Sequence, residues 1–138
     1  MSLHPGKNLI VIDMGTATTI DVVTSGKEYL GGAIMPGMKI SVEALASGTA
    51  KLPIVEIVRP EHACGTSTIE AIQSGLYWGN LGAVKELTRQ YERTVFKGEK
   101  PYIIGTGGFS RIFDGESLFD EMCPELVLLG IKCALDMN

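Results

Sequence analysis

The chain has 138 residues, 45% of them hydrophobic and 20% charged, with a net charge of −4 and a pI near 5.1. That composition fits one ordinary globular domain, large enough to bury about two thirds of its unfolded surface. There is no basic run of the kind that binds nucleic acid and no apolar stretch near the ~20 residues that cross a bilayer, so neither nucleic acid nor a membrane is expected as a partner.

Residues 1–8 are polar and lack the apolar core of a signal peptide; they are expected to form an N-terminal tail whose Met1-Ser2-Leu3 is vector-like, leaving 9–138 as the folded domain. Leu9–Ile12 is a short apolar run rich in β-branched residues and reads as a buried strand. Asp13 ends it with a charge. Met14–Thr19 then reads as a polar turn, and Ile20–Val23 resumes the apolar pattern. A carboxylate at a strand end, followed by Gly15 and the hydroxyls of Thr16, Thr18 and Thr19, suits phosphate and cation chemistry. The glycine admits an anion to the backbone N–H groups, the hydroxyls add donors, and the carboxylate holds a cation. A plain hairpin with a Thr-rich turn uses the same residues, and Asp-x-Gly-Thr alone does not decide between the two.

Ser25-Gly26-Lys27 turns the chain into a third strand, Glu28–Ile34. Gly31 and Gly32 inside it mark either a β-bulge or the close approach of a ligand. Met38–Ser47 is expected as an amphipathic helix with Ile40, Ala44 and Leu45 on one face, stopped by Gly48. Thr49–Cys64 is irregular, broken by Pro53 and Pro60, with Ile54–Val58 as a short edge strand. Thr66 or Ser67 caps a long helix running to about Phe96, and Glu70 completes a capping box with Ser67. Ala71, Gly75, Gly79 and Gly82 share one face of that helix. Such a face receives a backbone at close range, either the domain's own sheet or a partner's helix, with Tyr77 and Trp78 beside it.

Tyr102–Ile104 reads as a buried strand, Gly105-Thr106-Gly107-Gly108 as a loop, and Phe109–Phe113 as a short helix. The loop is either a structural tight turn or a glycine cradle for a nucleotide. Leu118–Met122 is the expected last strand. Pro124 opens a final helix whose Leu126, Val127, Leu129, Ile131 and Ala134 are expected to face the core. Cys64, Cys123 and Cys133 form no C-x-x-C pair, and His4 and His62 complete no ligand set. A metal cluster is therefore not expected, and the thiols read as reduced cytoplasmic cysteines.

The strings DMGTATTID (Asp13–Asp21), YLGGAIMPG (Tyr29–Gly37), the Ser-x-Glu-Ala-Leu of Ser41–Leu45, TAKLP (Thr49–Pro53), GTSTIEAIQSG (Gly65–Gly75) and GTGG (Gly105–Gly108) occur in this order. Together they resemble the type III pantothenate kinases, of the acetate kinase/sugar kinase/Hsp70/actin superfamily, and they cover nearly the whole chain. The resemblance implies an α/β fold: a single ribonuclease H-like half-domain with a mixed sheet, three antiparallel strands followed by alternating helices and strands. That is one half of the actin-like ATPase fold. It also implies ATP-dependent phosphorylation of pantothenate, the first committed step to coenzyme A, in the cytoplasm.

By the same resemblance, Asp13 matches an aspartate that binds a monovalent cation, potassium or ammonium, with magnesium accompanying ATP. Gly15, Thr16, Thr18 and Thr19 would lie at the phosphates, and Gly105, Gly107 and Gly108 at the adenosine. Thr68 matches a threonine that hydrogen-bonds pantothenate, and Gly31 and Gly32 border its pocket. Read from the residues alone, Thr68 is equally a helix-start residue that caps its own backbone. Relatives are homodimers with pockets at the subunit boundary. One departure is large. The Asp-x-Gly-Asn-Thr phosphate loop and the Gly-x-Asp-Arg segment with the catalytic base are absent, and Asp21, Asp114, Asp120 and Asp136 stand in other contexts. The chain therefore resembles the C-terminal half, holds no catalytic base, needs an N-terminal half-domain as partner, and is expected to be inactive alone. The alternative is a non-catalytic module that binds nucleotide or pantothenate as an accessory regulator.

Overall fold

The hub of the structure is β1 (Leu9–Met14), the middle strand of a five-stranded mixed sheet. The computed structural model describes residues 3–138; Met1 and Ser2, where the expected N-terminal tail begins, lie outside the described residues. β2 (Ala17–Val23) and β3 (Tyr29–Pro36) follow β1 as an antiparallel meander. α1 (Met38–Gly48) and α2 (Thr68–Thr94) come next. β4 (Tyr102–Thr106) then returns parallel to β1, and β5 (Glu121–Met122) pairs parallel with β4, giving the order β3-β2-β1-β4-β5. A 3₁₀ turn (Ser110–Phe113) separates β4 from β5, and α3 (Leu126–Asp136) ends the chain. This is the expected α/β half-domain, with three antiparallel strands first.

The core lies between one face of the sheet and the two long helices. Ile10, Ile12, Met14, Ile20 and Val22 from the sheet meet Met38 and Val42 of α1 and Ile72, Leu76, Tyr77, Leu81 and Val84 of α2. Burying each such side chain contributes roughly 1.5–3 kcal/mol. That outweighs the ~1 kcal/mol lost at each helix-interior glycine of α2. Ser67 is the N-cap, its Oγ accepting from the Glu70 backbone N–H, while the Glu70 carboxylate accepts from the N–H and hydroxyl of Thr66. Those bonds hold the Glu70 carboxyl below its usual range.

Several elements differ from the sequence expectation. The turn between the first strands is only Gly15-Thr16; Thr18 and Thr19 already pair with Met14 and Asp13, as β-branched residues beside a free strand edge will. Ile54–Val58 is not a strand. It lies against α2, where Gln73 Nε2 donates to the Glu56 carbonyl. The last strand shrinks to Glu121–Met122, because Leu118 and Phe119 turn into the core and the Asp120 carboxylate takes the Ile103 N–H. On α1 the residues packed on the sheet are Met38 and Val42, whereas Ile40 and Leu45 remain exposed. The Ala71–Gly75–Gly79–Gly82 face points away from the domain's own sheet and is open. No residue of α3 is buried, so it does not face the core. His4–Asn8 is tied down: the Tyr102 N–H donates to the Asn8 carbonyl, and Lys7 Nζ lies 4.1 Å from the Tyr102 ring centroid.

Candidate functional site

Parallel pairing of β4 with β1 and antiparallel return of β2 set Asp13 level with Thr106 on one side and Thr19 on the other. The chain then closes over the strand ends. Gly107 adopts φ +90°, and a Cβ there would lie 2.5 Å from Asp13 Oδ1 and 2.6 Å from the Met14 nitrogen. Only glycine lets the β4 loop fold this tightly onto β1. The Phe109 N–H donates to the Met14 carbonyl, and Ser110 Oγ donates to the Gly107 carbonyl, which fixes the loop. From the opposite side, Gly37 at the start of α1 packs on the first turn, where a Cβ would meet the Thr16 carbonyl oxygen at 2.1 Å. Three segments, 13–16, 36–38 and 105–108, thus converge at one edge of the sheet.

The Asp13 carboxylate is half-buried in this convergence, with Gly15 and Gly107 close to its Oδ1. No group of three or more acidic, His or Cys side chains gathers anywhere among the described residues. The Asp13 carboxylate supplies a negative charge at this edge, a donor suited to a cation.

The other residues singled out by the sequence divide by position. Thr16 is exposed at the turn and Gly108 is exposed on the β4 loop. Thr19 donates instead to Asp21 across 3.4 Å, and Thr18 is 1% exposed on the core side with no partner for its hydroxyl. Gly105 has a packing reason of its own, since a Cβ would strike the Phe119 ring at 2.6 Å. Gly31 and Gly32 pair with Val22 and Asp21, about 13 Å along β3 from Pro36. The sheet explains them: a bulge falls at Val22/Val23, Gly31 has φ +96°, and a Cβ on Gly32 would be 1.7 Å from the Ile20 carbonyl oxygen.

Thr68 lies in a different place, a groove of about 860 Å³ between α1, α2 and the end of β3. Ile40, Leu45 and Leu52 give it apolar walls, and Ala71, Gly75 and Gly79 form an α2 wall without bulk. The groove borders the sheet edge through Pro36, which pairs with Ala17. The sequence reads the small residues of α2 as a seat for another backbone and Ile40, Ala44 and Leu45 as one face of α1; the structure makes these faces the two walls of the groove.

Tyr77, fully buried, anchors the far side of α2. Its hydroxyl donates to Glu116 Oε1 at 2.7 Å, and Arg59 pairs with the same carboxylate at 3.2 Å. Burial, then the Glu116 carboxylate, pushes the phenol up to about 12. Nothing in the local sequence points to this link, which joins residues 39 apart.

The sheet order, the helix pair and the strand-end loops define a ribonuclease H-like half-domain. The family model for type III pantothenate kinase matches residues 1–90. A "Type III pantothenate kinase" of Legionella pneumophila (strain Corby) is 52% identical over 134 residues, covering 97% of this chain and 52% of that protein. The relative from Elusimicrobium minutum is 46% identical over all of this chain and 54% of its own length. A crystal structure from Campylobacter jejuni, assigned to the Baf family of transcriptional activators, superposes with TM-score 0.69 at 21% identity, over 96% of this chain and 59% of that one. It shares the fold. The chain belongs to the type III pantothenate kinase family, and it spans about half the length of the curated relatives it matches.

Proposed function

We propose that this chain forms one wall of an ATP-dependent kinase that phosphorylates pantothenate, and that the other wall comes from the half of the fold its relatives carry beyond it. The observation that carries this reading is the Asp13 carboxylate held at the sheet edge between Gly15 and Gly107. Phosphoryl transfer needs charge neutralisation and positioning around the moving phosphate. Asp13 holds a potassium or ammonium ion there. Thr16 and the backbone of Gly15 face the phosphates, and the Gly107-Gly108 loop takes the adenosine. Magnesium bound to ATP would spread the phosphate charge.

Pantothenate lies in the α1/α2 groove, its branched apolar part on Ile40, Leu45 and Leu52 and a polar group on the Thr68 hydroxyl. The Glu70 carboxylate, which accepts from the Thr66 N–H and hydroxyl just ahead of α2, puts a negative charge beside the first turn and makes it a weak carboxylate trap. A second copy covers the open Gly75–Gly79 face and closes the groove, making the working form a homodimer. The base that orients the attacking hydroxyl comes from the N-terminal half-domain.

Asp13→Asn tests the site. In this chain co-expressed with the remaining half of the Legionella pneumophila relative, it should abolish the dependence on potassium or ammonium and most turnover. Unchanged ion dependence and rate would remove Asp13 from the site.

A further inference from the structure

The core leaves one element unclaimed. In α3, Val127, Leu128, Ile131 and Leu135 are 59%, 67%, 54% and 70% exposed. At the helical repeat these four fall within a stripe about 100° wide, the width of a face that normally packs on a core. Lys132 and Asp136, one turn apart, border it. With the other helices and strands α3 makes no substantial packing. Its 11 residues fall short of the ~12–15 at which even alanine-rich helices become marginal in water, and Gly130 weakens it further. A helix of this kind owes its stability to the surface it lies on.

Its position says what that surface adjoins. The Cys123 N–H donates to the Gly105 carbonyl at 2.8 Å, so α3 departs from the same sheet edge that carries Asp13 and Gly107. Whatever sits on α3 is thereby tethered beside that edge. The curated relatives add a body of about this chain's own size, since the chain accounts for 52% of the Legionella pneumophila protein. We infer that the apolar stripe Val127–Leu128–Ile131–Leu135 is the seat on which the remaining half of the relatives' fold docks, holding it beside the Asp13 edge. This rests on the proposed function only in taking that half as the partner. A membrane surface is a poorer occupant: the helix is about 16 Å long and its polar border carries one cation and one anion.

The test is hydrogen exchange along α3, without ATP or pantothenate, in this chain alone and in the chain co-expressed with the tagged remaining half of the Legionella pneumophila relative. Amides of α3 should exchange near unstructured rates in the chain alone and slow at least ~100-fold in the complex. Leu128→Glu with Leu135→Glu should reduce the co-purified half at least ~10-fold while α2 exchange stays unchanged. Protection of α3 that grows with concentration in the chain alone would assign the stripe to a second copy and overturn the inference, as would an unprotected α3 in the complex. If the halves do not co-purify, exchange of the matching helix in the intact Legionella protein decides: slow exchange supports the seat and fast exchange overturns it. Because no turnover is read, a complex with protected α3 and no kinase activity refutes the proposed function and leaves this seat standing.

Discussion

The position a Gly107 Cβ would occupy lies 2.5 Å from Asp13 Oδ1, on a backbone with φ +90°. The strand-end carboxylate and the β4 loop therefore share a space that admits no side chain. Gly107→Ala should cost about 1–3 kcal/mol through backbone strain and displace the Asp13 carboxylate. Chemical denaturation should show the loss, and nucleotide binding by the complex of both halves should fall with it. A wild-type denaturation curve with unchanged binding would separate Gly107 from the site.

Tyr77 links α2 to the segment after the 3₁₀ turn through Glu116. Its folded value, about 12, lies above the ordinary 10.0. The stabilisation from the neutral phenol is therefore complete below pH 10 and is lost as pH rises toward 12. Tyr77→Phe should cost about 1.5 kcal/mol near neutral pH, the low end for a hydrogen bond to a charged group, because Glu116 keeps Arg59. It should also remove this part of the alkaline decline. A variant whose stability falls between pH 10 and 12 as steeply as wild type would assign that decline to other groups.

The open glycine face of α2 yields a prediction in which fold and association separate. Gly79→Leu improves helix propensity by about 0.8 kcal/mol while filling the space a second copy needs. At a dilution where both are monomeric the variant should melt no lower than wild type, and at high micromolar concentration it should sediment as a monomer while wild type sediments as the proposed dimer. Wild type that stays monomeric at high micromolar concentration would remove the dimer.

Much of the fold was readable because strands and helices here follow local rules. The β-branched runs of Leu9–Ile12 and Ile20–Val23, and the Ser67–Glu70 capping box, state their own conformation. The misreadings arose where partners decide. Ile54–Val58 has strand composition but meets α2 instead of a ladder, and α3 has a core-like stripe with no core under it. In the site, Asp13 was visible as a charge closing an apolar run. Its closure by Gly107 and the docking of Gly37 on Thr16 depend on pairing between strands distant in sequence, which no local pattern encodes. The spacing of Ala71, Gly75 and Gly79 announced a close-contact face, and only the placement of α2 showed that it looks outward.

The most direct test of the half-enzyme reading is phosphopantothenate formation from ATP and pantothenate with potassium, assayed with this chain alone and with the chain co-expressed with the remaining half of the Legionella pneumophila relative. On this reading the base, worth about 10²–10⁴-fold of rate, and part of the phosphate-positioning groups lie in the remaining half. The chain alone should show no detectable turnover, and the complex should turn over in a potassium- or ammonium-dependent manner. Robust turnover by these 138 residues alone, or a stable complex that forms no phosphopantothenate, would contradict it.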